Sequence, residues 1–195
     1  MELIYRIGFT LSMLHRYRRA LLQVYRQTPK NNTAYHLSPQ DLKQRGIQVI
    51  VLDFDGVLAA DHALLPTSEM QQWLYDCLAL FGCEQIFLLS NKPLPERIAY
   101  FEQLGIRCIT NVKKKPYPDG LQQVINLTQL PARQLILMDD RLLTGILATC
   151  IAGTQANYIT QPYVDLRRRP LSEFIFMSLR FVERGIVRFY GLISR

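Results

Sequence analysis

Asp53-Phe54-Asp55-Gly56-Val57 follows directly on the apolar run Ile47-Gln48-Val49-Ile50-Val51-Leu52. Two carboxylates two residues apart repel one another, and a low-dielectric setting sharpens the repulsion. A divalent cation or a proton relieves it. The pattern therefore points to a metal-assisted site at the carboxyl end of a sheet strand, where open α/β folds place their ligands. Taken alone, the stretch reads equally well as a strand ended by an Asp-Gly turn.

The order of residues further along separates the two readings. A second apolar run, Gln85 to Leu89, ends in Ser90-Asn91. A third, Arg107 to Thr110, is followed by Lys113-Lys114-Lys115-Pro116. A fourth, Gln134 to Met138, ends in Asp139-Asp140. Successive strand ends thus deliver a carboxylate pair, a hydroxyl, an ammonium and another carboxylate pair. That is an inventory for phosphoryl transfer: a nucleophile, donors to phosphate and metal ligands.

The set resembles the haloacid dehalogenase (HAD) phosphatase superfamily, subfamily IIIA, over about residues 37 to 165. It is closer still to the YqeG-like branch that includes phosphatidylglycerophosphate phosphatases. The carrying stretches are GIQVIVLDFDGVL (Gly46 to Leu58), Leu89-Ser90-Asn91, Lys114-Lys115-Pro116 and MDDRLLTGIL (Met138 to Leu147). The resemblance implies an aspartyl-phosphate mechanism. Asp53 would be the nucleophile, and Asp55 would protonate the leaving alkoxide and then activate water. Ser90, Asn91 and Lys115 would bind phosphate, with Lys114 as the alternative lysine. Mg²⁺ would be held by Asp53, the backbone carbonyl of Asp55 and one of Asp139 and Asp140.

Other readings of these residues stay open. Ser90-Asn91 could cap a helix opening near Pro93, and Asp139-Asp140 could cap one beginning near Arg141. The lysines could line a solvated loop. The chain also departs from the branch pattern: relatives carry Gly-Asp and a further Asp five residues on, whereas here Asp139-Asp140 is followed by Gly145. Asp139 would compensate for the missing acid, or the metal site would be weakened. Val57 replaces the Thr often found after the second Asp, a milder change.

At 195 residues and 49% apolar, the chain supports one domain with added ends. No signal peptide and no spanning run are expected. Cys77, Cys83, Cys108 and Cys150 lack metal-type spacing and read as reduced cytosolic thiols. His15, His36 and His62 form no ligand cluster. Residues 1–30 carry a net +5, residues 166–195 another +5, and the middle −3.

Apolar periodicity predicts a helix over 2–27, with Leu3, Ile7, Leu11, Leu14, Leu21 and Tyr25 interleaved by arginines. Strands are expected at about 47–52, 85–89, 107–110, 134–138 and near Tyr158-Ile159. Helices are expected after Ser38-Pro39, from Ser68 with Gln71 as its capping partner, and at about 95–104, 118–127 and 142–150. This alternation means an α/β, three-layer Rossmann-like fold with a mostly parallel central sheet. The expected division is a basic amphipathic N-terminal helix and linker (1–36), a HAD-like domain (37–165) and a basic apolar C-terminal helix (166–195). In that last segment Phe174, Met177, Phe181, Ile186, Phe189 and Leu192 lie among Arg180, Arg184 and Arg188. Each terminal helix packs on the body or lies on anionic lipid.

The gaps between motifs hold no large cap domain, so an open site suited to a phosphate on something large is expected. The leading expectation is a Mg²⁺-dependent phosphatase of an anionic phospholipid phosphate such as phosphatidylglycerophosphate. It would be cytoplasmic and peripherally bound to the inner membrane face. The alternatives are a phosphatase of a soluble metabolite or nucleic-acid phosphate, and a non-catalytic HAD-like binding module with Gly145 as its mark of decay. Nucleic acid ranks below lipid as a partner, because the basic ends are too apolar for a phosphate-tracking arm. The oligomeric state is not readable.

Overall fold

The computed structural model describes residues 2–91 and 93–193. The side chain of Leu192, and all of Arg195, which ends the expected C-terminal segment, lie outside the described residues. The helices are α1 (Glu2–Gln27), α2 (Pro39–Gln44), α3 (Ser68–Phe81), α4 (Pro95–Gln103), α5 (Asp119–Thr128), α6 (Leu147–Ala152) and α7 (Pro170–Ile193). The strands are β1 (Val49–Leu52), β2 (Ile86–Leu88), β3 (Arg107–Cys108), β4 (Leu135–Asp139) and β5 (Gln155–Tyr158).

All strand pairings are parallel, in the order β3-β2-β1-β4-β5. β1 lies between β2 and β4, so its backbone is bonded on both edges and all four of its residues are buried. Alternate side chains take opposite faces of the sheet. Ile50, Leu52, Ile86, Leu88, Ile136 and Met138 pack with Trp73 and Leu74 of α3 and Phe101 of α4. Val49, Val51, Phe87, Leu135 and Leu137 pack with Leu121 and Val124 of α5 and Ala148 of α6. Helices on both faces make the three layers expected. From β1 the chain builds outward through β2 and β3, then returns across β1 to lay down β4. The strand order therefore reverses between β1 and β4, and that switch point is where open α/β sheets leave a crevice.

Most element boundaries fall within a residue or two of the expected ones, and the differences have local causes. α3 is capped by Thr67, whose hydroxyl accepts from the Met70 amide at 3.3 Å, not by Ser68 with Gln71. β3 is two residues long, although the Ile109 amide still donates to the Leu88 carbonyl at 2.8 Å. The helix expected over 142–150 begins as a π-turn, Leu142–Ile146, before becoming α6. Such turns recur beside functional sites.

The terminal helices pack against the body and against each other. Leu14 and Leu21 of α1 and Val187 of α7 form a buried cluster with Leu142, Ile146, Leu147 and Tyr158. The His15 and Tyr190 rings meet edge to face at 6.4 Å. Gly191 lies so close to Leu22 that an added Cβ would stand 2.4 Å from it. The first turns of α1 escape this packing, leaving Leu3, Ile4, Ile7 and Leu11 exposed. Among the described residues, no helix is long and apolar enough to cross a membrane.

Truncating Leu21 tests whether α1 is docked. Leu21→Ala should cost about 2–5 kcal/mol, the range for a fully buried leucine, read as a lower urea midpoint. An unchanged midpoint would mean that α1 does not pack as described.

Candidate active site

The turn after β1 displays its two carboxylates because Phe54 between them goes into the core. Phe54 is fully buried, and its carbonyl accepts from the amides of Val57 and Leu58. Gly56 closes the turn at φ +79°, a region in which side-chain-bearing residues are strained. A Cβ there would stand 2.5 Å from Asp140 Oδ2 and 2.9 Å from Arg180 Nη2. Glycine is therefore required both by the backbone and by the approach of the second carboxylate pair.

Asp53, Asp139 and Asp140 each bring a carboxylate oxygen within 4.8 Å of the others. Asp139 and Asp140 are buried and Asp53 nearly so. Lys115 enters this group with its Nζ 2.5 Å from Asp139 Oδ2 and 3.1 Å from Asp53 Oδ2. Asn91 holds the lysine's backbone: its Oδ1 accepts from the Lys115 amide at 2.8 Å, and its Nδ2 donates to the Lys115 carbonyl at 3.3 Å. Of the lysines considered, Lys115 reaches the carboxylates, while Lys114 lines the cavity outside them.

Burial pushes the Asp53 carboxyl well above its ordinary range, the nearby Lys115 cation opposes this, and Asp139, Asp140 and Asp55 add to the rise. Burial likewise lifts Asp140 to about 6 despite the guanidinium of Arg180 beside it. Burial disfavours the Lys115 charge, but Asp139 and Asp53 outweigh that and hold its ammonium firmly protonated.

Asp55 faces another cation. Arg97, buried on α4, donates from Nη2 to Asp55 Oδ1 at 2.7 Å and from Nε to the Ala63 carbonyl at 2.8 Å. Its guanidinium lies 3.8 Å from the centre of the Phe54 ring, a cation–π stack that fixes its plane. Asp61 also lines the cavity, with its Oδ2 3.0 Å from His62 Nε2, while His62 itself does not line it.

A cavity of about 410 Å³ opens over these groups. Asp53, Asp55, Ser90, Asn91, Lys115 and Asp140 line it, and Asp139 lies beneath. α4 opens at Leu94 without a side-chain cap, and Asp139 serves two donors, accepting from the Arg141 amide at 2.9 Å on Oδ1 and from Lys115 on Oδ2. Among the described residues there is no cap domain; α1 supplies Arg6 and Thr10 to the cavity wall, and α7 supplies Phe176, Leu179, Arg180 and Glu183.

The sequence reading missed Arg97, Arg141, Arg180 and Glu183. One signal was present: Arg97 shares the inward helix face with Phe101, four residues on, where an apolar residue is the rule. A Cβ at Gly145 would stand 2.0 Å from Asp139 Cγ, so Asp139 already fills the space an acid there would need.

A parallel sheet, carboxylates at its switch point and a lysine buried among them define a HAD-like protein of the phosphatase type. A family model described as mitochondrial PGP phosphatase matches residues 22–164, and the chain belongs to that family. It is 30% identical over 118 residues to phosphatidylglycerophosphate phosphatase 1, chloroplastic, of Chlamydomonas reinhardtii, a match covering 57% of this chain. That match spans 44% of the algal protein, less than half its length. It is 25% identical over 154 residues to the probable phosphatase YqeG of Bacillus subtilis, covering 78% of this chain and 84% of that one. A crystal structure of an uncharacterized protein from Corynebacterium glutamicum superposes with a TM-score of 0.45 at 23% identity, covering 70% of this chain and 96% of that one.

Two outcomes follow from the geometry. Gly145→Asp should destabilise the fold by at least about 1–3 kcal/mol through overpacking, and should gain no function. The raised carboxyls also set a pH slope. The folded chain keeps the Asp140 proton up to about 6, whereas an unfolded Asp releases it near ~3.9. Stability present below the lower value is therefore lost as pH rises through the higher one. In metal-free buffer, urea midpoints at pH 4, 5, 6 and 7 should fall less steeply for Asp140→Asn than for the native chain.

Proposed function

We propose that this chain is a Mg²⁺-dependent phosphomonoester hydrolase working through an aspartyl-phosphate on an anionic phospholipid phosphate, phosphatidylglycerophosphate in class. The observation that carries the reading is Asp53, which faces the cavity with Lys115 on one oxygen and two further carboxylates within 4.8 Å. The headgroup is supported by family membership and by the name of the algal relative.

In this reading the Asp53 carboxylate attacks phosphorus, and the bond from phosphorus to the alcohol oxygen breaks. Asp55 gives its proton to the departing alkoxide, then takes one from the water that hydrolyses the acyl phosphate and frees inorganic phosphate. Arg97 fixes the carboxyl of Asp55 at the cavity wall. Ser90 donates to a phosphoryl oxygen, and Lys115 offsets charge there while restraining Asp53. Asn91 does its work one step back, through the Lys115 backbone.

The site suits a hard cation, because its donors are all oxygens and three carboxylates are buried together. Asp53, Asp139 and Asp140 would hold Mg²⁺, with the Asp55 backbone carbonyl as the further ligand. Bound there, Mg²⁺ supplies Lewis-acid charge at the phosphoryl oxygens.

The lipid part of the reading rests on the outward face of α7. α7 turns Glu173, Arg180 and Glu183 inward and leaves Leu171, Phe174, Phe181 and Phe189 at 60–81% exposure. Exposed Leu3, Ile4, Ile7 and Leu11 lie among the turns of α1 that carry the cavity residues Arg6 and Thr10. Apolar faces flanked by arginines suit the surface of an anionic bilayer. The protein would sit peripherally on the inner, cytoplasmic face of a membrane.

Phosphate release from phosphatidylglycerophosphate in mixed micelles should require Mg²⁺ and fall to background in Asp53→Asn. Release that survives this change would remove Asp53 as nucleophile. Flotation with anionic vesicles should weaken as salt rises from about 0.1 M to about 1 M, and weaken further in Phe181→Ser/Phe189→Ser. Salt-insensitive flotation would count against the basic ends as the contact.

A further inference from the structure

The C-terminal helix does more than cover the cavity. Arg180 directs both Nε and Nη2 to a single oxygen of Asp140, Oδ2, at 2.5 Å each. The other oxygen, Oδ1, is left unclaimed by the guanidinium. The pair sits in the hollow that Gly56 leaves, where any Cβ would collide with both partners. Three residues along the same helix face, Glu183 takes the Arg141 guanidinium on Oε1, with the Nε bond at 2.8 Å. Its Oε2 accepts from the Leu143 amide at 3.3 Å. One helix face thus grips the chain at 140, 141 and 143, the segment that leaves β4 with the second carboxylate pair.

We propose that Arg180 is a positioning residue for divalent-cation binding. Its forked contact would set the Asp140 carboxylate so that the free oxygen faces Asp53 and Asp139, and Glu183 would hold the following segment in register. The inference rests on the reading that these three aspartates hold a cation.

Two observations favour this role over a purely structural one. Arg180 is 6% exposed and its Nη1 has no hydrogen-bond partner. Burying a guanidinium with a donor unmet is costly, and buried ion pairs add little net stability compared with apolar packing. A helix with so many spare apolar residues could have been docked more cheaply. The opposing effect is charge, since a guanidinium beside a ligand repels a cation. Partners that orient metal ligands are nonetheless typically worth about 10–100-fold in affinity, and the hollow left by Gly56 indicates that orientation is what the fold specifies.

The test is direct Mn²⁺ binding by electron paramagnetic resonance on the full chain, with thermal midpoints recorded alongside. Arg180→Ala should bind Mn²⁺ about tenfold or more weakly while still folded at the assay temperature. Arg180→Lys keeps the charge and loses the fork, so it should fall between that variant and the native chain. Native or tighter binding in folded Arg180→Ala would overturn the proposal. So would native affinity in Arg180→Lys, which decides the matter if the alanine variant does not fold. Mn²⁺ binding that is absent even in the native chain would instead remove the cation reading, and this inference with it.

Discussion

Three carboxylates crowded into one small volume set the terms for everything around them. Asp53 arrives from β1, and Asp139 and Asp140 from β4, at the point where the strand order reverses. Such a cluster repels itself in a dry setting unless cations are built in. Lys115 answers Asp53 and Asp139, and Arg180 answers Asp140. The surroundings follow from the need for close approach. Gly56 and Gly145 are glycines because the Asp140 and Asp139 carboxylates occupy the space where their Cβ atoms would stand. Asn91 spends its amide on the backbone that delivers Lys115.

The same crowding bears on the glycine one turn into the helix after β4, where the resemblance implies an acid. An acid placed one turn into the helix after β4 and an acid at the end of β4 compete for one location. Here the strand-end position is filled by Asp139, which also takes the Arg141 amide and the Lys115 ammonium. Gly145 passes close to that carboxylate, within the π-turn over Leu142–Ile146.

α7 links this electrostatic centre to the outer surface. Its inward face carries Glu173, Arg180 and Glu183 before giving way to Val187, whereas an ordinary surface helix turns an apolar stripe inward along its length. The inward charges are explained by what they touch: Asp140, Arg141 and the Leu143 amide. The outward phenylalanines touch no comparable partner among the described residues, and their position beside the cavity walls of α1 and α7 brings the proposed lipid contact and the proposed phosphate site onto adjoining surfaces.

The sequence by itself determined the sheet, its parallel sense and the location of the strand ends. Hydrophobic runs and their punctuation are local signals, and β1, β2 and β4 lie almost where those runs end. It also placed Asp53, Asp55, Ser90, Lys115, Asp139 and Asp140 at those ends, because each is adjacent in sequence to the strand that presents it. It left open which lysine enters, whether Asp139-Asp140 caps a helix and what fills the space beside Gly145. It gave α7's arginines as a solvated or lipid-facing set. Only tertiary structure decided these points. Arg97, Arg180 and Glu183 meet residues about 40 positions away, and no local pattern encodes a partner at that separation. Whether a charged helical stripe faces water or a buried carboxylate depends on which side of the helix the rest of the fold occupies, and that is settled only when α1, α7 and the end of β4 pack together.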